Sequence, residues 1–313
     1  MPKLSDIVPA LAAAAIAAVG LCACSSGDAP RPDRSEYAYT LSQKKLLDII
    51  EEQDRFFERI RGKSRMSRSD ALSLKSKIDA LWAEYLAEFP DDVDALVLNG
   101  KFLRATGDDE LSYKQFSHAD ALSPNLPVVK QQLANYEAEH GLAKHAYDNI
   151  RAAVSLAPEN SVYRLQLAQL ILFFREELIA KHGFSQATLD AELSQSYARA
   201  AELEPENGEI RKKYALSFYD VGRADWNEAL RQWDIVLEKF SPLNIDKQTA
   251  RANRARVLVE LGRDAEARKV LETIDAPALQ ADKRKLLEII DSAKNGAEQT
   301  KTESDFQWTF FRK

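Results

Sequence analysis

Apolar residues in this chain recur three and four positions apart, in blocks separated by short polar or proline-bearing breaks. Over 41–61, Leu46, Ile49, Ile50, Phe56, Phe57 and Ile60 keep that spacing, which predicts a long amphipathic helix with one side to bury. The break Arg61-Gly-Lys-Ser-Arg-Met follows. Ser69 or Asp70 then stands where a helix cap is needed, and Leu72, Leu74, Ile78, Leu81, Trp82 and Tyr85 carry the next helix towards Pro90. The last helical block, 282–293, holds Leu286, Leu287, Ile289 and Ile290, a short closing helix placed to cover the final exposed core face. Residues 294–304 are polar and predict disorder. Beyond them Phe306, Trp308 and Phe310 alternate with polar residues, a period of two that suits a strand. Such a tail is either a docking peptide for a partner or a strap that folds back on its own helices.

Between these ends the blocks repeat. Pro90, Pro124 and Pro158 close successive segments, each 34 residues after the one before, in "AEFPDD", "ALSPNL" and "SLAPEN". A period of this length marks a repeat array. With the third residue after each proline taken as position 1, the unit 93–126 has Gly100 at position 8, Phe116 at 24 and Ala119 at 27. The unit 127–160 has Leu133 at 7, Ala134 at 8, Ala146 at 20 and Ala153 at 27. A third begins at Ser161 with Leu167 and Ala168 at positions 7 and 8, but its closing Pro205 comes 47 residues after Pro158. The surplus falls around 173–185, "FFREELIAKHGFS", and is expected to lengthen the first helix and the turn after it. It serves either as a longer pair packed on its neighbour or as a contact specific to this chain. A fourth unit runs from Gly208 with Ala215 at position 8 and Gly222 at the turn, its second helix starting two residues late. A fifth places Ala255, Gly262 and Ala267 in equivalent positions.

Period and internal residues together resemble the tetratricopeptide repeat (TPR), whose two antiparallel helices touch where Gly or Ala sits. The resemblance implies an all-α fold, a right-handed superhelical solenoid of antiparallel helix pairs. In it, 41–92 is an N-terminal capping or divergent pair, 93–281 holds about five repeats with the insertion near 173–185, and 282–293 caps the end. It also implies a concave groove in which partner peptides lie against positions 2, 5, 6, 9, 12 and 13 of each unit. Carried over position by position, that set is Lys101, Arg104, Gln131, Gln132, Asn135, Gln166, Gln169, Lys212, Lys213, Tyr219, Asn253 and Arg256. The groove is thus expected to have an amide-rich middle, able to donate to and accept from a peptide backbone, between basic ends. Asp94, Glu139, Asp220 and Glu260 fall on the same positions and dilute that charge. The paired Lys and Asn clamp that takes a free C-terminus in this family is not reproduced in consecutive units.

The head of the chain changes the picture. Lys3 precedes an apolar run over 10–21 that is too short to span a bilayer and has the shape of a secretory signal. Leu21-Cys22-Ala23-Cys24 resembles the bacterial lipobox, which implies a signal peptide over 1–23, lipidation of Cys24 and a tether over 24–40. The other reading is an ordinary signal peptide with incidental cysteines, for which Asp6 and Pro9 speak. With acyl chains on Cys24 the chain is expected in the cell envelope, anchored through its N-terminal lipid. Ser25 after the cysteine resembles the pattern sent to the outer membrane, facing the periplasm.

Composition narrows the chemistry. The net charge of −6 discourages nucleic-acid binding, and 11 Gly and 11 Pro in 313 residues are few for an all-β protein. Cys22 and Cys24 are the only cysteines, so the body has no disulfide or thiolate–metal framework. His118, His140, His145 and His182 read as surface or turn residues; His140 and His145, five apart across Gly141, do not share a helical face. No nucleophile elbow, P-loop or dinucleotide fingerprint occurs. No catalytic residue, metal or cofactor is expected. The reading is a non-enzymatic adaptor for envelope proteins or their peptide segments. The alternative is a fixed structural subunit of an envelope assembly, and a third class is an enzyme with 173–185 as a lid, which would need a pocket of converging titratable groups.

Overall fold

The computed structural model describes residues 40–61 and 67–294. The head with Cys24 and the aromatic tail lie outside these residues. Among the described residues there are 13 α-helices, two 3-10 turns and no strand. They fall into two compact units, divided between Phe184 and Ser185. The division runs through the third repeat, between its two helices, where the sequence predicts an unbroken array.

The first unit holds α1 (Leu41–Arg61), α2 (Arg68–Glu88), α3 (Val93–Thr106), α4 (Asp109–Leu122), α5 (Pro127–Glu139), α6 (Ala143–Leu156) and α7 (Ser161–His182). Successive helices pair across short turns and share cores in sequence order. Ile49 and Phe56 of α1, Ile78, Trp82 and Tyr85 of α2, and Ala95 and Phe102 of α3 form one buried cluster. Leu96 of α3, Phe116 and Ala119 of α4, and Val129 and Leu133 of α5 form the next. A hairpin cannot bury both of its apolar faces alone, so each takes its second face from its neighbour. The predicted small residue at position 8 explains the close approach: a Cβ on Gly100 would lie 2.9 Å from the Phe116 ring. Ala134, Ala168, Ala215 and Ala255 occupy the equivalent place, all buried. Between α3 and α4, Gly107 ends the helix at φ 88, where an L side chain would be strained. Tyr85 donates to Asp92 Oδ2 at 2.7 Å while Asp92 Oδ1 caps α3 through Ala95 N–H at 3.1 Å, which joins the divergent first pair to the first repeat.

Several sequence expectations are corrected. Neither Ser69 nor Asp70 caps α2; Ser67 does, its Oγ accepting from Asp70 N–H at 3.1 Å. Ile60 and Leu72, assigned to apolar faces, are exposed, because they lie near the two helix ends that flank the break. The insertion does not lengthen the turn. It extends both helices, to 22 residues in α7 and 18 in α8 (Gln186–Leu203), whereas α3 and α4 have 14 each. Gly183 ends α7 in the left-handed region and Ser185 caps α8 at once, so no chain is left for a loop.

In the second unit, α9 (Gly208–Ser217) is short and passes into a 3-10 turn, Phe218–Asp220, before α10 (Trp226–Lys239). The fifth repeat starts earlier than its TPR-like part, with α11 (Asn244–Glu260) followed by α12 (Asp264–Glu272). The closing helix, α13 (Gln280–Lys294), is longer than the predicted 282–293 and packs on α11 and α12 through buried Leu286 and Ile290. Gln248 fixes the turn before it: its Oε1 accepts from Asp275 N–H at 2.9 Å and Ala276 N–H at 2.7 Å. No described helix is long and apolar enough to cross a membrane.

Candidate functional site

In the first unit the groove residues project from the first helices of three hairpins, α3, α5 and α7. Pro127 opens α5 at a position that needs no N–H, and the helical repeat then puts Gln131, Gln132 and Asn135 on adjoining positions of one side. The structure does not leave these amides open. Gln132 Nε2 donates to Gln131 Oε1 at 2.7 Å, Gln131 Nε2 to Gln166 Oε1 of α7 at 3.0 Å, and Gln166 Nε2 to Asn135 Oδ1 at 3.0 Å. Exposures of 5, 8, 8 and 6% for Gln131, Gln132, Asn135 and Gln166 decide the matter: the predicted amide-rich middle is an interhelical network consumed in holding α5 to α7. Only its two ends, Gln132 Oε1 and Asn135 Nδ2, bond no described residue.

The basic ends are corrected in a similar way. Arg104 is committed to Asp109 at 2.8 Å and to Glu139, so it ties α3 to α4 and α5. Glu139, read as a diluting charge, is therefore its partner. Lys101 is different. It is half-buried and pairs with no described carboxylate, and burial pushes its ammonium below the ordinary range. Gln169 of α7 is likewise half-buried, and its side-chain amide bonds no described residue. Lys101, Asn135 and Gln169 all stand at position 9 of their units, one per hairpin, and form a row with donors to spare.

In the second unit Lys212 is paired with Glu209 at 3.1 Å, and Lys213 is half-buried with no ion pair to a described residue. Tyr219, Asn253 and Arg256 meet each other. The Tyr219 hydroxyl donates to the Asn253 carbonyl at 3.0 Å and the Arg256 guanidinium lies 3.8 Å from the Tyr219 ring centroid. Burial raises the Tyr219 phenol pKa and lowers that of Arg256, while the cation over the ring face recovers part of the desolvation. These three are packing residues of the repeat rather than open groove.

Sequence reasoning missed Glu137 at position 11. It is 3% exposed and accepts from Asn149 Nδ2 at 2.9 and 3.1 Å and from the Tyr113 hydroxyl at 3.4 Å, which ties α4, α5 and α6 together. No signal in one sequence marks a glutamate at that position as buried. Burial pushes its carboxyl up, against the opposing pull of Asn149, nearby His145, Tyr113 and Lys130. Because the folded value lies above the ordinary one, this group's contribution to stability is fully present below the ordinary glutamate range and is lost as pH rises through the folded value. Glu137→Gln is therefore expected to flatten that part of the pH profile. In urea titrations the variant gains on the parent as pH rises above the ordinary glutamate range; a difference that does not change with pH contradicts the assignment.

The histidines are surface or turn residues. His118 lies 3.4 Å from exposed Asp91, and His140 stacks on Tyr136 with ring centroids 3.9 Å apart. Among the described residues no group of His, Cys, Asp and Glu is arranged to hold a metal ion. The second unit also has an edge cleft of about 820 Å³, lined by Glu204, Pro205, Asn207, Lys239, Phe240 and Pro242 among others. No motif in the sequence points to it.

No family model matches the chain, and no curated protein matches it in sequence. Solved structures do match in fold. The complex of Naa15/Naa10 bound to HypK-THB aligns at TM-score 0.55 and 14% identity over 82% of this chain and 35% of that one. YrrB, described as a TPR protein with an unusual peptide-binding site, aligns at 0.49 and 15% over 68% and 97%. PilF of Pseudomonas aeruginosa aligns at 0.46 and 13% over 80% and 99%. At such identities the likeness is one of fold. The helix pairs, the 34-residue period and the small residues at position 8 make the fold that of the tetratricopeptide repeat.

Proposed function

We propose that this chain is a non-enzymatic adaptor of the bacterial cell envelope, anchored through lipid on Cys24, that binds extended segments of partner proteins in its groove. The observation that carries the reading is the row Lys101, Asn135 and Gln169. Neighbouring polar groups on these helices are spent on one another, yet these three keep polar atoms that no described residue uses. A half-buried ammonium without a carboxylate is costly unless a ligand supplies one. The adjoining amide donors suit backbone carbonyls. The partner segment expected is therefore an extended peptide with an acidic residue over Lys101. The 36–38% exposed Leu172, Phe173 and Val162 on α7 favour the second reading, a fixed structural subunit.

A pull-down from detergent-solubilised envelope separates these readings. The adaptor captures a substoichiometric, salt-sensitive set of clients, and Lys101→Glu loses them by about tenfold or more through charge reversal. One stoichiometric partner, retained by Lys101→Glu, would favour the subunit. Cys24→Ala in the same cells is expected to move the protein from the membrane to the soluble fraction. If it stays membrane-bound, the lipid anchor is wrong.

A further inference from the structure

The edge cleft of the second unit has Phe240, Pro205 and Pro242 as its apolar lining, the two prolines exposed. Phe240 packs closely on Gly208, where a Cβ would lie 2.8 Å from its ring. Leu243, 62% exposed, and Ile245, 44% exposed, flank the start of α11 beside the lining residues Pro242 and Asp246. Leu243 occupies the N-cap of α11 and makes no cap bond, at a position where Ser, Thr, Asp or Asn stabilises a helix. Neither side chain serves the helix or the core. The rim is acidic, with Glu204, Glu206, Glu209 and Asp246 against Lys212 and Lys239. Lys212 is already turned to Glu209, and the carboxylates of Glu206 and Asp246 bond no described residue. Such a surface fits a short segment that is aromatic along its length and cationic at one end.

The chain itself carries one. Residues 306–313, Phe-Gln-Trp-Thr-Phe-Phe-Arg-Lys, place four aromatic side chains before Arg312 and Lys313. Successive helices reverse direction, so the turns before α9, α11 and α13 share the edge on which the cleft opens. The 15 residues of α13 carry Lys294 about 22 Å from that edge. The 11 residues from Lys294 to Asp305 can extend to about 37 Å, enough to return. We propose that residues 306–313 seat in this cleft of their own unit, with the aromatic rings over Phe240, Pro242, Leu243 and Ile245 and with Arg312 and Lys313 against Glu206 and Asp246. The connection holds the segment at an effective concentration of about millimolar, so modest contacts suffice. This surface shares no residue with the position-9 row, and the inference stands without the adaptor reading.

The test uses a fluorescent synthetic peptide of residues 303–313 and the full chain, beside a full chain carrying Phe306→Ala, Trp308→Ala and Phe310→Ala. Anisotropy is expected to show salt-sensitive binding to the tail variant. Binding to the parent, whose own tail competes, is expected to be weaker by about tenfold or more. Adding Glu206→Lys and Asp246→Lys to the tail variant, both on the rim and outside the core, should abolish binding. No binding to the tail variant, or binding that survives the rim reversals, overturns the proposal. So does equal binding by the parent, or a parent that sediments as a dimer while the tail variant is a monomer, which would place the tail on a second copy.

Discussion

Replacing Trp82 with alanine lowers the stability of the first unit by about 3–5 kcal/mol, the range for deleting a buried tryptophan side chain. Trp82 is 1% exposed and shares a cluster with Ile49 and Phe56 of α1 and with Ala95 and Phe102 of α3, besides the edge-on ring of Tyr85. It joins the divergent first pair to the first repeat. In an array where each hairpin contacts its neighbours, the loss stays near the site. Hydrogen exchange is therefore expected to show α1 and α2 losing protection while α5 and α6 keep theirs. A uniform loss along the chain, or a change in urea midpoint equivalent to less than about 1 kcal/mol, contradicts the packing described.

Gln166→Leu is expected to cost about 2–4 kcal/mol, although leucine is close in size and more apolar. The substitution removes the acceptor of Gln131 Nε2 and the donor to Asn135 Oδ1 together, and both partners are buried on α5. The loss comes from stranded polar groups rather than from a cavity. Gln131→Leu in the same chain should then cost less than it does alone, with a coupling of about 0.5–3 kcal/mol in a double-mutant cycle. Additive effects would mean that water already satisfies these amides and that they remain available to a ligand.

These results bear on how far the site can be read from the chain. The carry-over by position put Lys101, Asn135 and Gln169 at the same place in successive repeats of the first unit. It could not tell spent groups from open ones. Gln131 and Gln169 are the same residue type on neighbouring first helices, yet one is 5% exposed in a network and the other bonds no described residue. Arg104 and Glu139 looked like opposing contributions to groove charge and are an ion pair 35 residues apart. In the second unit, Tyr219 fell on a groove position only if α9 continued regularly, but the helix ends at Ser217 and the side chain turns to Asn253 and Arg256.

The sequence by itself determined the class of fold: helical periodicity, prolines 34 residues apart and a small residue at each position 8 depend on local geometry and on one close contact repeated along the chain. Tertiary structure alone decided three things. It placed the division at Phe184 and Ser185, drew both helices of the third repeat out instead of looping the surplus, and buried the amides that a peptide was expected to meet. The physical reason is range. Helix period and capping are settled within a few residues. A polar side chain, by contrast, becomes structural or open according to which residue of another hairpin, 30 or more positions away, comes within hydrogen-bond distance, as Asn135 does with Gln166.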